Sequence, residues 1–229
     1  MEDKGRIVVI EPDERPVRGS SYVAVAYNEI RGLILSGDLP PGARVTVRPL
    51  VDRLQLSPTP IRTALAALHR EGMLEAQAHR GYFVPQMGRA DMLEIYEVRE
   101  AVDGIASRRA AQSERRAALV ETLQDLLREQ ARCVAAGDIN TYRDLDVTFH
   151  ETIWRASGNR RILSISDNLL AQVRIGNNIS ANAPGRLPAA LEEHATILEA
   201  LRVGDPQAAE RATRHHVRQA SDALGDLLD

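Results

Sequence analysis

The sequence predicts a mainly α protein in two parts: a small module of three helices and one β-hairpin, followed by an antiparallel bundle of about six helices. Three observations carry this. Apolar residues recur at helical spacing over most of the 229 residues. Only one stretch, near residues 73–85, reads as paired short strands. After about residue 89 the breaks are brief clusters of Gly, Ser, Asn, Asp and Pro, so successive helices must double back on one another.

Composition sets the outer limits. Hydrophobic residues make up 44% and charged residues 27%, which excludes disorder, collagen and disulfide scaffolds. The single cysteine, Cys133, cannot form an internal bridge, so a reducing cytoplasm is the expected compartment. The longest unbroken apolar run, Tyr22 to Tyr27, is far too short to span a membrane, and the acids in MEDKGRIVVIEP argue against a secretory leader. With 29 Lys+Arg against 32 Asp+Glu the net charge is −3, which taken alone argues against nucleic acid. The charge is unevenly spread, however. Residues 20–88 carry seven arginines against five acids, whereas residues 89–229 carry 18 basic and 22 acidic residues.

Residues 1–19 mix charges, prolines and glycines without a sustained period and read as a loose arm. From Ser21 to Ser36, Val23, Tyr27, Ile30, Leu33 and Ile34 form a helical stripe, ended by Gly37 as a left-handed cap. Asp38-Leu-Pro-Pro-Gly42 is turn chemistry. A short helix spans about Val47 to Leu54, with Thr46 at its N-cap. In the next helix, Ser57 as N-cap puts Pro58 and Pro60 in the first turn, where backbone amides lack intrahelical partners anyway. That helix runs to Glu71 and stops at Gly72. Met73 to Ala78 and Tyr82 to Pro85 then form the hairpin, joined by His79-Arg80-Gly81. The domain boundary falls near 86–90. Beyond it, breaks at Ser113, Gly137-Asp138, Ser157-Gly158-Asn159, Ala183-Pro-Gly185 and Gly204-Asp205-Pro206 separate the bundle helices.

Three helices and a hairpin within residues 20–86 suggest a winged helix-turn-helix. On the third helix Ile61, Ala64, Leu65 and Leu68 form the apolar face, which leaves Thr59, Arg62, Thr63 and Arg70 on the other side. Such a polar face near a helix N-terminus suits the major groove of DNA. A guanidinium at Arg62 can read guanine bidentately, while Thr59 and the free first-turn amides can hold phosphate. Arg80, at the hairpin tip, can reach the backbone or minor groove. The plain alternative is that Arg62 and Arg70 simply solvate a helix face.

The run Ile34…Gly37…Leu39-Pro-Pro-Gly42…Arg48…Leu50…Leu54…Ser57-Pro-Thr-Pro-Ile-Arg-Thr-Ala-Leu65…Leu68…Glu71-Gly72…Arg80-Gly81 resembles the GntR family of bacterial transcription regulators over the whole module. The resemblance implies that Arg48, Thr59, Arg62, Arg80 and Gly81 contact DNA. One position departs: Pro58 stands where the family commonly has arginine, so operator preference does not carry over from relatives.

Four of the six histidines lie after residue 140, with no catalytic Ser or Cys constellation beside them. Asp146 and His150 are four residues apart and share one helix face. With His194 and His216 from two later helices they can meet at one metal in the bundle interior, and Zn, Ni, Mn and Fe are all compatible. Spacing alone equally allows ordinary hydrogen-bonded histidines. An Asp/His3 set with an open position can also activate water, which keeps a metalloenzyme as a rival, although no separate acid–base motif accompanies it.

Tyr96-Glu-Val-Arg99…Asp103, Leu145-Asp-Val-Thr-Phe-His150…Ser157-Gly-Asn159, Glu193-His194…Leu198-Glu-Ala-Leu201…Asp205…Ala209…His216 resembles the FCD domain of the FadR subfamily of GntR regulators across most of residues 89–226. In many members an Asp-x3-His pair and two later histidines bind a divalent metal that helps hold a carboxylate effector. Asp146, His150, His194 and His216 match all four places, which implies one divalent ion per chain; His215 faces about 100° away. Arg99 and Arg174 are candidate clamps for an anionic effector, or partners in internal ion pairs. Asn178 and Ser180 are further candidates for the pocket lining, and Trp154 for core or pocket wall. The whole implies a homodimeric, non-enzymatic regulator on a pseudo-palindromic operator, acting as a repressor that a small organic acid releases; a purely structural metal is the alternative.

Overall fold

The computed structural model describes residues 18–78, 80–176 and 183–225. Among them, α1 (Arg18–Leu35), β1 (Arg44–Val45), α2 (Val47–Leu54), α3 (Pro58–Arg70), β2 (Glu75–Gln77) and β3 (Gly81–Phe83) build the N-terminal module. Six helices follow: α4 (Arg89–Ala111), α5 (Arg116–Ala136), α6 (Ile139–Ala156), α7 (Arg160–Ile175), α8 (Arg186–Val203) and α9 (Pro206–Gly225). The predicted mainly α architecture holds, and no described helix is long and apolar enough to cross a membrane.

In the module, α3 behaves as its sequence requires. Ser57 is extended at the N-cap, Pro58 opens the helix, and Ile61, Ala64, Leu65 and Leu68 are fully buried. They pack against Ala26, Ile30 and Ile34 of α1 and Leu50 of α2. Two details differ from expectation. α1 starts at Arg18, before its apolar stripe begins, so residues 18 and 19 belong to the helix; the rest of the expected arm lies outside the described residues. The wing has three strands in the order β1-β3-β2, all antiparallel, with Val45 opposite Tyr82 and Ala76 opposite Tyr82 on the other side. A two-residue strand is too short to show alternation, which is why β1 was not foreseen. His79, in the expected turn, lies outside the described residues.

The bundle helices are set by their caps. Asp138 accepts from the Thr141 amide at 3.1 Å to open α6, and the Asn159 side chain accepts from the Arg161 and Ile162 amides to open α7. α9 returns along α4 and also packs on α8, while α5 pairs with α6 and α8. The largest apolar cluster here gathers Leu123, Phe149, Ile153, Trp154, Ile197 and Leu201.

The two parts meet on α7. Its Ala171 and Ile175 join the apolar core of the N-terminal module. Gln172 donates to the Glu71 carbonyl at 2.9 Å, and Arg31 pairs with Asp167 at 3.1 Å. Tyr27 donates to Glu71 at 2.6 Å, and burial followed by this bond pushes its hydroxyl pKa up to about 12. Gly72 permits the close approach: its φ is +73°, and a Cβ there would stand 2.8 Å from Gln172 Nε2.

Candidate nucleic-acid interface and metal centre

All six DNA-contact candidates sit on the surface of the N-terminal module. Arg48 is exposed on α2, Thr59, Arg62 and Thr63 on the outer face of α3, and Arg80 and Gly81 at the wing. Ser57 makes no side-chain cap bond and Pro58 and Pro60 have no N–H, so within the first turn the Thr59 amide remains for an anion. Thr63 Oγ1 donates back to the Thr59 carbonyl at 3.1 Å. The wing turn is braced by a residue that sequence reasoning missed: Arg44 Nε donates to the Arg80 carbonyl at 2.7 Å, while the Arg80 guanidinium lies 5.5 Å from the Phe83 ring. Arg44 carried no signal beyond its charge, because its strand was not recognised.

The bundle interior holds the second constellation. His150, His194 and His216 are buried, come from α6, α8 and α9, and turn their Nε2 atoms toward one point. His150 and His216 Nε2 are 3.2 Å apart, His194 and His216 Nε2 3.3 Å apart, and Asp146 Oδ1 lies 3.5 Å from His194 Nε2. Four donor atoms, one from each residue, lie within 4.8 Å of one another. His215 is exposed on the far side of α9, as its place in the helix requires.

Behind two of these donors the other ring nitrogen is held by a hydrogen bond. His216 Nδ1–H donates to Glu193 Oε2 at 2.7 Å, and His194 Nδ1–H donates to Gln130 Oε1 at 3.0 Å. Phe149 stacks on His194 at 4.2 Å between centroids. Both bonds leave Nε2 as a bare lone pair. Burial, reinforced by the neighbouring cationic side chains, holds all three imidazoles well below the usual histidine pKa, so they are neutral. Burial also pushes Asp146 up to about 6, although Arg99 and Arg186 oppose it. Facing lone pairs repel unless a cation lies among them. Four ligands about 2.05 Å from a tetrahedral Zn²⁺ stand about 3.3 Å apart, close to the separations seen. The residues therefore fit a divalent metal.

The cavity beside this cluster is lined by Tyr96, Arg99, Tyr142, Leu170, Val173 and Arg186, among others. Arg99 is buried, paired with Asp103 Oδ2 through Nε and Nη2 at 3.3 and 3.2 Å, and 5.3 Å from the Tyr96 ring. Trp154 Nε1 donates to the other Asp103 oxygen at 2.8 Å, which makes Trp154 a core residue with a polar tie. Arg174 is placed elsewhere. It pairs with Asp144 at 3.2 Å and borders a surface crevice with Ser36 and Asn140. Val173 faces the cavity, and the next residue is turned about 100° from it. The second guanidinium on the cavity is instead Arg186, which grips Glu193 through two bonds of 2.9 and 2.6 Å. Asn178 and Ser180 lie outside the described residues.

Gln130, Arg186 and Glu193 were not singled out from sequence. For Gln130 a signal exists: Leu119, Leu123, Leu126, Gln130 and Cys133 recur at alternating spacings of four and three, which puts a polar side chain in an apolar stripe.

An exposed polar recognition helix with a wing, carried on a helical bundle, defines a DNA-binding protein. The chain belongs to the GntR family of bacterial regulatory proteins, whose model matches residues 23–84, and the FCD domain model matches residues 94–219. It is therefore a DNA-binding transcriptional regulator rather than an enzyme. It is 34% identical over 186 residues to the "Probable D-xylose utilization operon transcriptional repressor" of Paenarthrobacter nicotinovorans, covering 80% of each chain. It is 23% identical over 201 residues to the transcriptional repressor RspR of Escherichia coli K12, covering 88% of each. In fold it is similar to E. coli McbR/YncC, with a TM-score of 0.75 at 21% identity over 91% of this chain and 99% of that one.

Proposed function

We propose that the protein is a cytoplasmic, homodimeric repressor that a small organic acid releases from a pseudo-palindromic operator, with one divalent metal ion in each bundle. The observation that carries this reading is the convergence of three histidine Nε2 atoms and Asp146 beside a cavity that also exposes two buried guanidinium groups. A bound divalent cation would supply positive charge for a carboxylate. Arg99 and Arg186 supply planar donors on the same cavity. The names of two relatives include the word repressor, which supports the direction of control. Arg48, Thr59, Arg62, Thr63, Arg80 and Gly81 are the proposed DNA contacts: phosphate partners hold the module in place and Arg62 reads bases.

The response needs a physical route between the sites, and α7 supports one. Leu170 and Val173 line the cavity, whereas Ala171, Gln172 and Ile175 engage the DNA-binding module. An acid that fits one setting of α7 better than another shifts the module by that difference in affinity. Linkage then requires operator DNA to weaken acid binding to the same extent.

A structural metal without an effector role is favoured by one observation: Asp146 and three histidines already fill the four places of a tetrahedral site. Operator titration of the metal-loaded chain, with and without a panel of small carboxylates, separates the readings. Weaker operator binding with one acid supports release. His194→Ala that melts earlier yet responds normally supports the structural role. Elemental analysis should give about one divalent ion per chain, as a single four-ligand site requires.

A further inference from the structure

Gln130 is fully buried on α5, between Leu123 and Cys133 of the same apolar stripe. An amide among apolar side chains is costly unless its hydrogen bonds are met. Only half of this one is met: Oε1 accepts from His194 Nδ1 at 3.0 Å, and Nε2 has no partner. The bond that is made has a definite chemical effect. A carbonyl oxygen can only accept, so it places the single imidazole proton on Nδ1 and leaves Nε2 bare. With the amide reversed, the proton would sit on Nε2, aimed at His216 and Asp146, and ligation by His194 would be blocked. Glu193 acts likewise on His216 at 2.7 Å, and Arg186 grips both oxygens of that carboxylate, its Nη2 donating to the same Oε2 that His216 does.

We propose that Gln130 is a positioning residue that selects the metal-ligating tautomer of His194, as Glu193 does for His216. The inference rests on the metal reading above. The two selectors differ in charge. An ionised carboxylate behind an imidazole raises its basicity more than a neutral amide does, so the Gln130 side has room for tightening.

The full chain, stripped with a chelator, is titrated with Zn²⁺ against a chromophoric chelator, with thermal unfolding of the stripped and loaded forms in parallel. Gln130→Met keeps the bulk and removes the acceptor; it should bind Zn²⁺ about 10–100-fold more weakly. Gln130→Glu restores an acceptor and should bind at least as tightly as wild type, even though its stripped form melts earlier. Wild-type affinity in Gln130→Met overturns the proposal. So does loss of affinity in both variants in step with stripped-form stability, the signature of a merely structural glutamine. If Gln130→Met does not fold, Gln130→Glu decides alone, and binding looser than wild type overturns the proposal. A wild type that takes up no Zn²⁺ overturns this inference together with the metal reading, whereas a binding wild type with an unaffected Gln130→Met overturns the inference only.

Discussion

The two halves of the chain place their polar chemistry on opposite sides of their surfaces. In the DNA-binding module every buried core residue among those described is apolar, from Ala26 to Val84, and the candidate contact residues are all exposed. In the bundle the order is inverted. Arg99, Asp103, Gln130, His150, Arg186, His194 and His216 are all buried, and no buried polar or charged residue is found before Arg99 among those described. A module that reads a large polymer must offer its donors outward and can rest on a featureless core. A pocket for a small ligand, as proposed for the bundle, must bring polar groups inside and pair its charges, because an unpaired buried charge is expensive. Function and stability are therefore separable in the first half and entangled in the second.

The sharpest way to break this contrast is at the buried pair. Asp103→Ala strands the Arg99 guanidinium and leaves Trp154 Nε1 without its acceptor, and it should cost about 3–5 kcal/mol in denaturant unfolding. A loss under about 1 kcal/mol would mean that the bundle tolerates polar vacancies as the surface does. Metal comes next. At a free concentration a thousandfold above its dissociation constant, a divalent ion should stabilise the loaded chain by about 4 kcal/mol over the stripped chain, and an equal melting temperature with and without chelator would separate function from stability here too.

Arg62→Ala should show the opposite pattern. Operator affinity should fall by about 1–3 kcal/mol at fixed salt, while unfolding stays within about 0.5 kcal/mol of wild type. An unchanged salt-controlled affinity would remove α3 from the interface. The smallest effect is expected at the junction. Gln172→Ala deletes one bond to the Glu71 carbonyl, worth about 1 kcal/mol. Metal uptake and operator binding should survive in this variant, and the acid-induced change in operator affinity should shrink. A full response would show that the signal bypasses α7.

The same contrast governs what could be read in advance. Elements with one face apolar and one face polar, such as α3, were legible to within a residue or two, because periodicity, a serine cap and early prolines agree. Asp146, His150, His194 and His216 were legible because two of them share a helix face and the family pattern supplies the others. Arg186 and Glu193 were not, since a buried ion pair seven residues apart looks like two ordinary surface charges. Arg174 shows the converse. Its charge suited an effector clamp, yet a rotation of one residue past Val173 carries it to Asp144 instead. The whole-chain charge of −3 averaged an arginine-rich reader with an acidic bundle, and so concealed the nucleic-acid partner.

The seating of Ala171 and Ile175 in the first module's core has an engineering consequence. A chimera that joins residues 18–86 to a foreign sensor would carry an uncapped apolar hollow beside Tyr27 and Met73. Transplanting α7 along with the reader, or giving the recipient bundle alanine and isoleucine at the matching helix positions, is the graft that this architecture calls for.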